Sequence, residues 1–284
     1  MTNQINTFSF NRFSLFLKCY IGENRRTLFI LGTIILCLPT LLLCVSTWLG
    51  QDVYEISRYY GRDYYYSYPE PNVDPQRWMV IFVFVSLSLI FAMVCGSMTF
   101  STLSTKSSRE NFLTIPATML EKFTALFLIY IVAYVVLMFL SINIANQLRV
   151  ILFGHLSQNL CAIPFKETFG MFPNGYVYRN MVAWWGFYGV VMTTFMVGSS
   201  LWPKNSFIKT MVAIIALIIV VFSLGGIAFV SYGLFSRSFE ARFEWMEHEA
   251  TMLNILMITE AVYSVAAIIF SYFRLKQWEL VSRW

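Results

Sequence analysis

The chain has 284 residues, of which 58% are hydrophobic and 12% charged, and its formal net charge is +5. Soluble domains carry roughly 25% charged residues, so about half the charge that keeps a globule's surface wet is absent. That excludes an ordinary water-soluble enzyme. The apolar residues also run in blocks about twice the length of a barrel strand and without alternation, which excludes a transmembrane β-barrel.

Residues 1–27 precede the first apolar block. Phe10, Phe13, Phe16, Leu17, Tyr20 and Ile21 recur at helical spacing, with Asn11, Arg12, Ser14 and Lys18 between them. The pattern predicts an amphipathic helix lying in the membrane interface, serving as an anchor or as a docking element for a partner. The stretch is polar and aromatic, the block after it is too long for a signal peptide, and no small-residue cleavage site follows.

Six blocks then approach the ~20 residues that cross a ~30 Å hydrocarbon core. They cover about 28–49, 78–100, 123–145, 182–202, 211–235 and 251–273. All eight Trp residues fall at or beyond block ends, where indole rings prefer the headgroup level. The side bearing the N-terminus, the loops at 101–122 and 203–210, and the C-terminus carries 12 Lys and Arg, against 8 on the longer opposite loops. The positive side is expected in the cytoplasm, which makes the net charge a topology signal and gives no reason to expect nucleic acid.

The first outer loop, about 50–77, holds Tyr54, Tyr59, Tyr60, Tyr64, Tyr65, Tyr66 and Tyr68. It either folds onto headgroups and helix ends or offers ring faces to a ligand. The second, about 146–181, opens with Val150, Ile151, Leu152 and Phe153, which extend the third helix or lie on the surface. In the third, about 236–250, His248-Glu249 lacks a second His three residues on, so zinc protease chemistry is excluded. Of the five Cys, only Cys161 faces outward, so there is no disulfide framework and no metal motif.

The connection at 101–122 is far longer than a connector needs. Pro116 divides it into two short helical pieces, with Phe112, Leu113, Ile115, Met119 and Leu120 among basic and polar residues. An apolar helical face with charged flanks suits a groove on a cytoplasmic partner; the other reading is an interfacial helix leading into the third span.

Glu260 is the one ionisable residue well inside a block. It lies ~14 Å from Thr251 along a helix, where a charged carboxylate costs about 2.5–3.5 kcal/mol. It is a candidate substrate or proton contact, with Asn254 and, more weakly, Thr193 along the same path. The alternative is an internal helix contact satisfied by Asn254, Thr259, Tyr263 or Ser264.

With these parts in order, the chain resembles the permease subunits of ATP-binding-cassette exporters in the type-2 permease (type V exporter) family, and is similar to permease-like proteins of Bacteroidota. The resemblance rests on an amphipathic entry helix ending at Arg25-Arg26 and on a first cytoplasmic loop with Arg109-Glu110, Phe112-Leu113, Pro116-Ala117 and Glu121-Lys122. Asn111-Phe112 stands where the family often has a glycine. The resemblance implies an all-α membrane protein of six transmembrane helices, both termini cytoplasmic, with an entry helix at 1–27 and a transmembrane domain at 28–284. It implies that Arg25, Arg26, Arg109, Glu110, Phe112, Leu113, Pro116, Glu121 and Lys122 form a coupling helix and its surroundings, seated on a cytoplasmic ATPase subunit. It also implies re-entrant folding near 225–249, a second permease copy or paralogue, and a place in the bacterial inner membrane. The chain has no phosphate-binding Gly-rich loop, so ATP and Mg²⁺ belong to the partner and this chain has no cofactor of its own. The rival expectation is a non-transporting scaffold, sensor or regulatory subunit. An intramembrane enzyme fits least, because a lone Glu has no paired acid, base or nucleophile.

Overall fold

A computed structural model describes residues 8–50, 77–154, 177–235 and 249–281. The Tyr-rich segment, Cys161 and His248 lie outside the described residues. Those described are all-helical, without strands. They comprise α1 (Phe10–Leu49), α2 (Arg77–Met98), a 3-10 turn (Ser101–Leu103), α3 (Lys106–Thr114), α4 (Met119–Phe127), a π turn (Leu128–Val132), α5 (Ala133–Phe153), α6 (Val177–Leu201), α7 (Ser206–Phe235) and α8 (Glu249–Val281).

Among the described residues five helices are long and apolar enough to cross a membrane: Phe10–Leu49, Met79–Leu103, Met119–Phe153, Ser206–Ser223 and Asn254–Trp278. The block expected at 182–202 forms helix α6 but does not meet that measure. Its Trp, Tyr, Gly and hydroxyl residues dilute its apolarity, and its position explains why they are tolerated. α6 packs against α2, α7 and α8, and buries Tyr188, Met192, Phe195 and Met196 among them. A helix enclosed by protein need not match the hydrocarbon around the bundle.

The entry helix and the first span are one element. α1 runs 40 residues without a break, about 60 Å at helical rise, twice the thickness of a hydrocarbon core. The expected in-plane helix is therefore the lower part of a single long rod. Pro39 sits inside that rod and cannot donate to the carbonyl of Ile35, four residues earlier. Ser141 of α5 donates its hydroxyl to that oxygen at 2.7 Å. A hydroxyl from a neighbouring helix thus fills the donor position that proline leaves empty, as a buried membrane helix requires.

The apolar residues 150–153 continue α5, and Gly225 and Gly226 lie within the unbroken backbone helix of α7. The rest of the segment expected to re-enter, 236–248, lies outside the described residues.

Candidate functional site

Loop residues 101–122 fold into a compact element at one end of the bundle. Thr105 caps α3, its hydroxyl accepting from the Ser108 N–H at 3.3 Å. The chain turns at Pro116, with Ala117 N–H donating to Ile115 O at 2.8 Å, and α4 begins at Met119. Thr118 and Glu121 form a reciprocal capping box, Glu121 Oε2 accepting from Thr118 N at 2.8 Å. Two short helices divided by Pro116 is the arrangement the sequence predicts.

The direction of the apolar face differs from the expectation. Phe112 is only 4% exposed and packs edge-on against Phe16 of α1, ring centroids 5.8 Å apart. Leu113 and Ile115 pack beside the same cluster, which includes Tyr20, Phe123, Leu126, Tyr130 and Leu275. Phe112 and Leu113 therefore do not form an outward face ready for a partner, because the lower part of α1 already covers them. The outward residues include Lys106, Glu110, Asn111, Thr114, Pro116 and Leu120.

Glu121 and Lys122 also turn inward, and both are essentially fully buried. Glu121 Oε1 accepts from Ser9 N at 2.7 Å and pairs with Arg12 at 3.1 Å, which ties the start of α1 to the start of α4. Lys122 Nζ donates to the carbonyls of Phe112 at 2.8 Å and Leu113 at 3.1 Å. These are among the carbonyls that the end of α3 leaves without a helical donor, so the ammonium acts as a C-terminal cap. Above them, the Tyr20 and Tyr130 hydroxyls lie 3.2 Å apart.

A second contact ties the element to the last helix. The Arg109 guanidinium lies over the Trp278 ring, 4.3 Å from its centroid, and Phe123 meets Tyr272 edge-on at 5.6 Å. The expected coupling set thus splits. Arg109 binds the element to α8 and Glu121 binds it to α1, Lys122 ties its two short helices together, and Glu110 and Pro116 face out. Arg25 and Arg26 are exposed on α1, with no ion pair among the described residues, ~20 Å along the helix from Arg12. The structure does not gather them with the loop.

The candidate path residues are likewise not in one place. Glu260 Oε2 is buried without a hydrogen-bond donor, pressed against Gly186 of α6 at a point that a β-carbon on residue 186 would occupy. Tyr263 instead pairs with Thr194, 2.8 Å between hydroxyls, and Thr259 bonds the carbonyl of Ile255. Thr193 is buried and donates to the carbonyl of Gly189 at 2.7 Å, and Asn254 is exposed. A separate cavity of about 120 Å³ lies among α2, α5 and α6, bordered by Ser88, Tyr134, Met138, Tyr188, Gly189 and Met192. Its hydroxyls are engaged with one another and with the backbone: Tyr134 donates to Ser88 O and Ser88 Oγ to Tyr188 OH, each at 2.5 Å. The cavity accordingly offers ring faces and methylenes. Among the described residues no group of three or more His, Cys, Asp or Glu is placed to hold a metal.

Arg149, to which the sequence pattern gives no role, is fully buried near the end of α5. Its position beyond the apolar block assigned it to an outer loop. The apolar run through Phe153 was the signal that the helix continues past it.

The residues described thus define an all-helical chain compatible with a multi-pass membrane protein, bearing a folded loop element at one end. No protein-family model matches it, and neither does any curated protein or solved structure.

Proposed function

We propose that this chain is the permease subunit of an ATP-driven exporter, powered by a separate ATPase subunit. In this reading α6 is the sixth span, both termini are cytoplasmic, and the protein resides in a bacterial inner membrane beside a second permease copy or paralogue. The observation that supports it most is the loop element at 101–122. One face is bound to both α1 and α8, through Phe112–Phe16, Glu121–Arg12 and Arg109–Trp278. The other face is polar and outward, as a seat for an ATPase requires. A push on that face reaches α1 and α8 together.

Purification from native membranes in mild detergent is expected to bring an ATP-binding-cassette ATPase with this chain. The double variant Glu110→Lys/Leu120→Asp changes only outward residues, so it should cut that association at least tenfold while leaving the thermal midpoint unchanged. Recovery of no such ATPase with the wild-type chain would refute the reading and favour a scaffold or sensor.

Glu260→Gln tests the path. The amide keeps the shape that fits against Gly186 and removes the ionisable group, so folding yield is expected to be preserved. Transport, or substrate-stimulated ATPase activity of the reconstituted complex, is expected to fall severalfold. Unchanged activity would assign Glu260 to helix packing alone.

A further inference from the structure

The Arg109–Trp278 contact has a second cation. Arg274, one turn earlier on α8, places its guanidinium 5.8 Å from the centroid of the same indole ring. Two guanidiniums from different elements therefore share one ring, and no carboxylate among the described residues lies within ion-pair distance of either. Cation–π contact compensates part of the repulsion between like charges but supplies no counter-charge.

Arg109 Nη2 donates to Leu103 O at 3.2 Å, and Arg274 Nη1 donates to Gln277 Oε1 at 2.9 Å. The Nε–H groups of both arginines and the Trp278 indole N–H are buried and have no acceptor among the described residues. Buried donors without acceptors are rare, and here three occur together, on one indole ring and on the two guanidiniums that meet it. Two are guanidinium Nε–H groups, which belong to the fork that matches the paired oxygens of a phosphate. The cluster also sits at a suitable depth. Arg274 is the first residue after the apolar block 251–273, where long cationic side chains and indoles meet headgroups.

We infer that Arg109, Arg274 and Trp278 form a binding site for a phosphate group, carried by a phospholipid headgroup or by a soluble phosphate. Its oxygens accept from the two Nε–H groups and the indole N–H, and its charge neutralises the arginine pair. Because Arg109 belongs to α3 and the other two to α8, the anion fastens the loop element to the last helix. This holds whether or not an ATPase binds the outward face.

The test uses the full chain in maltoside micelles, which contain no phosphate. Phosphatidylglycerol, diacylglycerol and inorganic phosphate (against chloride at matched ionic strength) are added separately. Native mass spectrometry counts retained lipid, and thermal unfolding gives the midpoint. The wild type is expected to retain one phosphatidylglycerol per chain in preference to diacylglycerol, or to gain several degrees with inorganic phosphate. The first result assigns a headgroup and the second a soluble phosphate. Arg274→Gln is expected to weaken either response about tenfold, and Arg274→Lys, which keeps the charge without the fork, to restore part of it. If the wild type shows neither preference nor midpoint shift, the inference is overturned, whatever the variants do. A response equally strong in Arg109→Gln/Arg274→Gln also overturns it, since the anion then binds elsewhere.

Discussion

Glu121→Ala is expected to lower the stability of the chain by about 3 kcal/mol and to release the start of α1 from the bundle. One carboxylate serves three structural jobs. Its Oε2 closes the cap of α4, and its Oε1 receives both the Ser9 N–H and the Arg12 guanidinium. Losing a cap costs about 0.5–2 kcal/mol, and leaving a buried N–H without an acceptor costs about 1–3 kcal/mol. Arg12 is partly exposed and re-solvates when its partner goes, so the 3–5 kcal/mol typical of a fully buried broken pair is not reached. Denaturant titration in mild detergent measures the loss, and limited proteolysis near residues 8–20 reports the released segment. Glu121→Gln keeps one oxygen in place and should fall between the two. A wild-type stability for the alanine variant would mean that this contact does not hold α1 to the loop.

The same contact shows where the sequence was readable. Each expected apolar block falls almost wholly on helix, because a run of ~20 apolar residues is the imprint of a hydrocarbon core. Pro116 and the basic, apolar composition of 101–122 also located the loop element and its break. The Thr118-x-x-Glu121 capping signature stood in the chain as well, and it marks the start of α4 four residues before the apolar block that begins at 123.

What composition does not encode is which way a face turns. Phe112 and Leu113 have the pattern of a docking face whether the groove belongs to another protein or to α1 of the same chain. The answer depends on Phe16, 96 positions earlier, and on whether α1 continues straight below the membrane. The donation of Ser141 to Ile35 behind Pro39, and the seating of Glu260 against Gly186, likewise join residues far apart in sequence. A single sequence records no such pairs. The candidate path of Glu260, Asn254 and Thr193 was drawn by depth alone, and depth says nothing about azimuth around each helix.

Azimuth also decides which glycines matter, and two of them are expected to respond with opposite sign. A β-carbon at Gly96 in α2 would stand 2.5 Å from the carbonyl oxygen of Met192 and 3.0 Å from Phe195 Cβ, both on α6. The oxygen is backbone and cannot swing aside, so the two helices must separate. Ser199 Oγ, which reaches back to Gly96 O at 3.3 Å, would then lose that contact. Gly96→Leu is expected to cost 3 kcal/mol or more, at the upper end of what overpacking a close contact does, and Gly96→Ala about 2 kcal/mol. Because α6 packs against α2, α7 and α8, a displaced α6 should also lower the yield of folded protein in the membrane fraction. Gly22, in the lower part of α1, has nothing within 4 Å of the corresponding position. Gly22→Ala therefore adds no clash and removes backbone freedom from the unfolded chain, raising stability by about 0.5–1 kcal/mol. Thermal and denaturant unfolding of the two alanine variants side by side tests this. A loss at residue 96 together with a gain at residue 22 places the close helix contact at α2–α6, whereas equal effects would mean that glycine's helix propensity alone is being measured.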